Sequence, residues 1–561
     1  MQPVISSAQM REIDRMTTER CGTPSLVLME NAASATAQAI AALCSVADKS
    51  ILVLCGRGNN GGDGAAAARL LAISGANVHT VLFGRVEDVH GDARINFERM
   101  REWMTNNAAG GPGAIHLYEC DSEKGWNHLL DSLLKLPHEV IVDALFGTGL
   151  TRPLEGIYQE AVRYLERLRK ARGSDELARS LIISVDVPSG LNADSPELIG
   201  AAVRADVTVT MTAPKLANVL PPAANYNGKL IVADIGSPKE LIDEADSQLF
   251  ATEEADARRW LIQTRYVPDS YKNTHGHVLA IAGSRGFTGA AALCGNAAMR
   301  SGAGLVTVAT PASAQPLVAA QLMPEVMTAA LAETDRGAVS DEALGHVLSL
   351  AERANVIAIG PGLSPEDERT RNFVRALIEE RRTPVVVDAD GLNCLAPWPE
   401  GLRGSFDLPV VLTPHPGEML RLIGTDDRTG LNDRVATARK FAVVHEVIVV
   451  LKGARSLVAA PDGRVFVNPT GNAGLGTAGA GDTLTGIIAG FLAQAYGTLK
   501  EEASTLESVI AALYISGLAG DLAAEEMGMR TMVASDIREH LSAAVCSLDP
   551  EGEIPLPGVE L

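Results

Sequence analysis

Short β-branched runs separated by alanine-rich stretches of helical character recur along nearly the whole 561-residue chain, and this alternation constrains the fold more than any other feature. In the first half the runs are 51–55, 78–83, 140–145, 181–187, 207–211 and 229–235; in the second they are 277–283, 304–310, 356–360, 384–390, 409–414 and 447–453. They are almost continuously hydrophobic, as strands of a parallel sheet buried on both faces must be. Between the two series lies a polar, acidic stretch without strand character, which predicts a boundary near residue 246. The two halves share no motif. We therefore expect two different α/β domains, 1–246 and 247–561, rather than a duplication.

Charge narrows the partners. Lys and Arg total 48 against 69 Asp and Glu, a net charge of −21. So acidic a surface argues against nonspecific binding to nucleic acid or anionic membrane, and any phosphate-bearing ligand must be caught by backbone amides and a few placed cations. The seven cysteines are scattered, with no C-x-x-C pair, which suits a reducing compartment. The N-terminus has no signal-peptide pattern and no run reaches ~18 uncharged apolar residues, so no membrane span and a cytoplasmic protein are expected.

The segment CGRGNNGGDGAAAARLLA (55–72) follows a strand and opens a helix. Its glycines let the backbone approach a phosphate while helix-end amides point at it. Gly56, Gly58 and Gly61 satisfy G-x-G-x-x-G, but the acid that should close the next strand of a dinucleotide fingerprint is missing. Asn59, Asn60 and Asp63 add polar side chains that a plain turn does not need. Asp143 and Asp186 each end a strand, and Ser189 follows the second, so all can converge on one crevice at the carboxyl edge of a sheet. A lone Asp there is often only a helix cap; the combination is the stronger signal.

GRGNNGGDG, VDALFGTGLTRPLEG and VDVPSGLNADSP, in that order, resemble the epimerase module of the NAD(P)H-hydrate repair family, over roughly residues 8–235. The resemblance implies a Rossmann-like three-layer fold. It implies that Asn59, Asn60, Gly61, Gly62 and Asp63, with Gly147, Thr148, Gly149, Leu150, Thr151, Arg152 and Pro153, hold the substrate's phosphates and ribose. Tyr158 and Asp186 would complete the substrate site, and Asn60, Asp143 and Ser189 would be potassium ligands. Asp186 becomes the candidate for proton transfer, in a reaction that equilibrates the R and S hydrates at ring carbon 6.

In the second half, NAGLGTAGAGDTLTGIIAGFLA (472–493) sets glycines before a helix expected to begin around Asp482, so its amides can form an anion hole. Asp482 is either an N-cap or a base beside bound phosphate. Lys452 and Gly453 close a strand, and His415 stands between Pro414 and Pro416. Together YKNTHGHVLAIAGS, GPGLS, DADGLN, TPHPGEMLRL, LKGA and GTAGAGD resemble the ADP-dependent NAD(P)H-hydrate dehydratase domain, from about residue 255 to 545. The implied fold is ribokinase-like. By the same resemblance Ala290, Gly362, His415 and Asp482 contact the S hydrate, Lys452, Gly453, Ala454, Arg455, Ser456 and Gly481 hold the adenine nucleotide, and Asp482 is the base. Magnesium is expected with the nucleotide, and family habit points to a homo-oligomer. The alternatives are a ribokinase-like small-molecule kinase fused to a nucleotide-binding module, and a first domain that binds without catalysing.

Overall fold

A computed structural model describes residues 1–107, 113–172 and 180–549, so the tail of the expected second domain, 550–561, lies outside the described residues. The chain divides into two compact units, Gln2–Ser247 and Gln248–Leu561, with Met1 grouped with the latter.

The first unit carries seven parallel strands: β1 (Ser50–Cys55), β2 (Asn77–Leu82), β3 (Ile115–Glu119), β4 (Val140–Ala144), β5 (Leu181–Val185), β6 (Val207–Met211) and β7 (Lys229–Ala233). Their order is β3-β2-β1-β4-β5-β6-β7. Ile51 to Cys55 and Val140 to Ala144 are fully buried, because helices cover both faces. The chain runs outward from β1 to β3 and then returns to place β4 on the other side of β1. That reversal is a topological switch point, where the loops after β1 and β4 part and leave a crevice. β3, IHLYE, is a strand the hydrophobic pattern misses, since only Ile115 on it is buried.

The second unit holds β8 (Leu249–Ala251), β9 (His277–Ile281), β10 (Leu305–Pro311), β11 (Met327–Leu331), β12 (Val356–Ile359), β13 (Val385–Val387), β14 (Val410–Leu412), β15 (Ile448–Leu451), β16 (Leu457–Ala459) and β17 (Val465–Val467), in the order β8-β17-β16-β15-β14-β13-β12-β9-β10-β11. The run from β15 to β11 is parallel, while β16 pairs antiparallel with both neighbours. Its switch point falls between β9 and β12. β8 lies in the stretch expected to lack strands; its three residues are too few to show a period.

Behind this sheet, a helix at Ala480–Thr498 packs on another at Thr288–Arg300. A Cβ on Gly486 would stand 2.2 Å from the Cys294 carbonyl oxygen, so the two backbones are in contact. The former helix begins at Ala480, two residues before the expected start, which puts Asp482 in its first turn. Two helices, Ser25–Leu43 and Thr505–Met527, are long and apolar enough to cross a membrane by length and composition, although neither is an uncharged run. They carry Glu30 and Asp521 respectively and pack on neighbouring helices of their own units.

Candidate active sites

At the first switch point the glycine turn is compressed until only glycine fits. A Cβ on Gly56 would lie 2.0 Å from the Leu145 carbonyl oxygen, and one on Gly61 would lie 1.8 Å from that of Gly56. Asn59 to Asp63 form the first turn of the helix Asn59–Ile73. Asn59 is exposed, whereas Asn60 is buried and its Nδ2 has no hydrogen-bond partner. The loop after β4 faces this turn: an ideal Cβ on Gly147 would be 3.0 Å from Asp186 Oδ2 and 3.1 Å from Asn60 Oδ1. Asn60, Gly147 and Asp186 therefore meet at one point.

The rest of that loop is divided. Leu150 is buried in the apolar core, Thr148 accepts a hydrogen bond from Ser7 Oγ through its carbonyl, and Thr151, Arg152 and Pro153 are exposed. Gly149 is open to solvent as well. Tyr158 lies across the crevice wall, stacked on Phe83 and donating to its carbonyl at 3.0 Å.

Asp186 takes a left-handed backbone (φ 67°), a costly conformation for a residue with a side chain. Its Oδ1 accepts from Lys215 Nζ at 2.6 Å and from Thr210 Oγ1 at 3.2 Å. Lys215 has no exposed side-chain surface and also donates to Thr210 and the Met211 carbonyl. Oδ2 is left turned toward Gly147 and Asn60. Two further carboxylates surround the pair. Burial pushes Asp14 up to about 6, with Asp186 adding and Lys215 opposing, and burial raises Asp63 too, helped by Asp186 and Asp14. The motifs did not disclose Lys215 or Asp14: neither sits in a glycine turn or at a strand end, and the fold brings Lys215 to Asp186 from beyond the adjacent β6 and Asp14 from the helix Ser7–Cys21.

Asp143 is fully buried. Ser189 Oγ donates to it at 2.6 Å, the Ser189 amide at 2.9 Å and Ser184 Oγ at 2.8 Å. Burial raises its carboxyl, partly offset by these donors, and no cationic side chain figures among its partners. Ser189 Oγ also lies 3.2 Å from the Phe146 carbonyl oxygen, next to Gly147. The Asp143 carboxyl, the Ser189 hydroxyl and the Phe146 carbonyl gather oxygen donors next to Gly147, which Asn60 Oδ1 also approaches, and among the described residues no cationic side chain bonds to Asp143. These residues fit a hard monovalent cation such as potassium.

In the second unit the carboxyl ends of β13, β14 and β15 converge. Asp388, 1% exposed, accepts from Lys452 Nζ at 2.7 Å, Thr413 Oγ1 at 2.6 Å and Thr485 Oγ1 at 2.7 Å. Burial opposes its charge, but Lys452 and the hydroxyls hold its carboxyl below the usual range. Lys452 is thus engaged by a buried carboxylate. Its ammonium lies under the helix start, 3.3 Å from where a Cβ on Gly481 would be. Asp482, in the first turn of that helix, feels the charges of both Asp388 and Lys452. Burial and then Asp388 push it up to about 7.

His415 caps the helix Pro416–Ile423: its Nδ1 accepts from the Gly417 amide at 3.0 Å, while Glu418 accepts from the His415 amide at 2.8 Å. The accepting Nδ1 leaves the proton on Nε2. Burial, then Lys452 and Arg421, lower the imidazole's affinity for a second proton. Gly362 (φ 66°) and Ala290 are adjacent, since a Cβ on the glycine would touch Ala290 Cβ at 3.0 Å.

The loop Gly453–Ser456 is closed by Ser456 Oγ donating to the Gly453 carbonyl at 3.0 Å, with Arg455 in a left-handed backbone. Arg434, which no motif marks, supports this loop from behind. Its Nη1 donates to the Ala454 carbonyl at 2.9 Å, and its Nη2 lies 2.9 Å from where a Cβ on Gly453 would be. Nε and Nη2 are buried without partners, and burial lowers the guanidinium with no carboxylate to oppose it.

A family model described as NAD(P)H-hydrate dehydratase matches residues 278–543, and one described as YjeF-related protein N-terminus matches residues 25–217. A Moorella thermoacetica protein named bifunctional NAD(P)H-hydrate repair enzyme Nnr is 40% identical, with 98% of each chain covered. Its namesakes from Thermofilum pendens and Escherichia coli are 36% and 33% identical, with 97% and 88% of this chain and 97% and 84% of theirs covered.

Proposed function

The chain belongs to the family of bifunctional NAD(P)H-hydrate repair enzymes, and from that premise we propose how its two sites divide the work. It is an NAD(P)H-hydrate epimerase and an NAD(P)H-hydrate dehydratase in one polypeptide, which excludes the small-molecule kinase alternative.

In the epimerase domain, residues 1–246, the hydrated nicotinamide ring sits against Gly147 with carbon 6 toward Asp186. Lys215 and Thr210 occupy Oδ1, so Oδ2 is the oxygen that takes and returns the proton. Asn59 to Asp63 and Gly147 to Pro153 receive the phosphates and ribose through their amides, and Tyr158 bounds the site. Asn60, Asp143 and Ser189 would hold potassium, which would supply the missing counter-charge to Asp143.

In the dehydratase domain, residues 247–561, Asp482 removes the hydroxyl proton of the S hydrate while His415, Ala290 and Gly362 hold the ring. The hydroxyl oxygen attacks the β-phosphoryl group of ADP and AMP leaves. Expulsion of phosphate, driven by the ring nitrogen's electron pair, leaves an iminium ion, and loss of a proton from ring carbon 5 then restores NAD(P)H. The amides around Gly481 and the Lys452 charge stabilise the moving phosphoryl group. Gly453 to Ser456 hold the nucleotide, and magnesium would neutralise part of its phosphate charge. The observation that carries this reading is Asp482, raised to about 7 in the first turn of a buried helix, where the charges of Asp388 and Lys452 both act on it.

We place the enzyme in the cytoplasm, consistent with seven free cysteines, and expect a homo-oligomer. The test is an assay on mixed R and S hydrates with ADP, with ATP and without nucleotide. Reduced-nicotinamide absorbance should return completely, and only with nucleotide. A stall at the S fraction would remove the epimerase assignment, and return without nucleotide would remove the phosphorylation route.

A further inference from the structure

A surface cleft of about 530 Å3 opens beside His415, lined by Arg371, Asn393, Arg421 and Asp426 among others. Its size falls in the range of ~300–1,000 Å3 typical of small-molecule sites. It continues the dehydratase site: the position of a Gly417 Cβ would be 2.9 Å from His415 Cε1 and 3.7 Å from Arg421 Nη1. One residue thus separates the imidazole from the cleft's guanidinium.

Both arginines are oriented by neutral acceptors. Arg371 Nε donates to the Pro365 carbonyl at 2.6 Å and Arg421 Nε to Asn393 Oδ1 at 2.9 Å. Among the described residues neither forms a salt bridge with a carboxylate, whereas many other surface arginines of this acidic chain do. Two aimed and unpaired guanidinium groups in a chain of net charge −21 are the placed cations that a phosphate ligand needs here.

We propose that this cleft binds the pyrophosphate-linked adenosine half of the hydrated dinucleotide, with Arg371 and Arg421 on its phosphates. The inference rests on the dehydratase reading above. With the nicotinamide ring at His415 and Asp482, and ADP at Gly453–Ser456, the remainder of the substrate must leave the site elsewhere, and the cleft adjoins His415. Asp426 supplies an acceptor suited to ribose hydroxyls, and the Asn393 amide, bridging Arg421 and Asp390, fixes the wall between ring and phosphates. Arg371 and Arg421 are specificity-determining residues under this assignment: they favour dinucleotide over mononucleotide.

The test uses the full-length enzyme with purified S hydrates of NADPH and of reduced nicotinamide mononucleotide. Arg371→Gln and Arg421→Gln should each raise the KM for the dinucleotide hydrate about ten-fold, with the KM for ADP and for the mononucleotide hydrate unchanged. Equal effects on both hydrates, or no effect on either, would overturn the proposal. Amide hydrogen exchange gives a readout independent of turnover. NADPH should protect segments 390–397 and 421–426 and reduced mononucleotide should not; absence of NADPH protection there overturns the assignment. Protection without any turnover of hydrate would instead retain the cleft and remove the dehydratase reading.

Discussion

Lys452 Nζ lies 2.7 Å from Asp388 Oδ1 and 3.3 Å from where a Cβ on Gly481 would be, so the positive charge at the anion hole is fixed by a carboxylate from the end of β13, two strands away. Burial would lower the lysine's affinity for its proton, but Asp388 and Glu418 more than restore it. The ammonium is therefore permanently present. Lys452→Met should leave Asp388 buried and unpaired, at a cost of roughly 3–5 kcal/mol read by chemical denaturation. Double replacement with Asp388→Leu should recover much of that stability without recovering dehydration.

Asp482→Asn should abolish ADP-dependent dehydration while epimerisation continues, as followed by interconversion of the R and S hydrates. Because the carboxyl is raised to about 7, kcat/KM for dehydration in the wild type should climb through neutrality and level off above it. The stability consequence has the opposite sense. Between about 4 and 7 the folded state binds a proton that the unfolded state has already released, so the wild type should lose stability as pH rises across that window. Asp482→Asn should flatten this slope in urea titrations.

Much of this second site was legible in advance. Asp482, His415, Gly362 and Lys452 all lie in glycine- or proline-marked turns after strands, where periodicity ends abruptly and chemistry is expected. Asp388 lies in the recognised DADGLN segment, but nothing in that segment shows it to be the partner of Lys452, 64 residues on. That pairing comes from strand order, which single-sequence patterns do not carry. The three-residue strands β16 and β17 were illegible for the simpler reason that they are too short to show a period and, unlike β13 and β14, are not embedded in a longer hydrophobic run.

Lys215→Met tests the corresponding charge in the first unit. It removes the only cationic side chain bonded to Asp186 among the described residues and leaves Asp14 and Asp63 nearby as uncompensated acids. Epimerisation should fall at least a hundred-fold, with destabilisation of about 3–5 kcal/mol, and the ADP-dependent dehydration of pure S hydrate should be retained. Lys215 was not legible because TAPKLAN shows no motif; the residue reaches Asp186 only because β5 and β6 are adjacent.

Potassium should stabilise the first unit measurably. Exchange of potassium for a bulky organic cation should lower the melting temperature of the wild-type enzyme by a few degrees. In Ser189→Ala, which loses a hydroxyl donor to Asp143, the same exchange should have little effect. An equal shift in both proteins would argue against the Asn60–Asp143–Ser189 site.

Arg434→Met should raise the KM for ADP by about ten-fold while the KM for the S hydrate stays constant, since the arginine braces Ala454 and lends its charge to the nucleotide loop. Arg434→Lys should recover only part of this, because one ammonium cannot both hold the Ala454 carbonyl and fill the space over Gly453.

The two glycine turns differ in how they will tolerate natural variation. At Gly56 and Gly61 a methyl group would collide with main-chain oxygens, which cannot step aside as a side chain can. The anion hole of the second unit already carries Ala478 and Ala480, while Gly479 is held by its left-handed backbone (φ 84°) and by Leu293, and Gly481 by the Lys452 ammonium 3.3 Å from where its Cβ would be. Inherited substitutions should therefore accumulate unevenly. In the epimerase half, a single alanine at either glycine amounts to loss of the site, whereas the dehydratase turn already carries alanine at two of its positions.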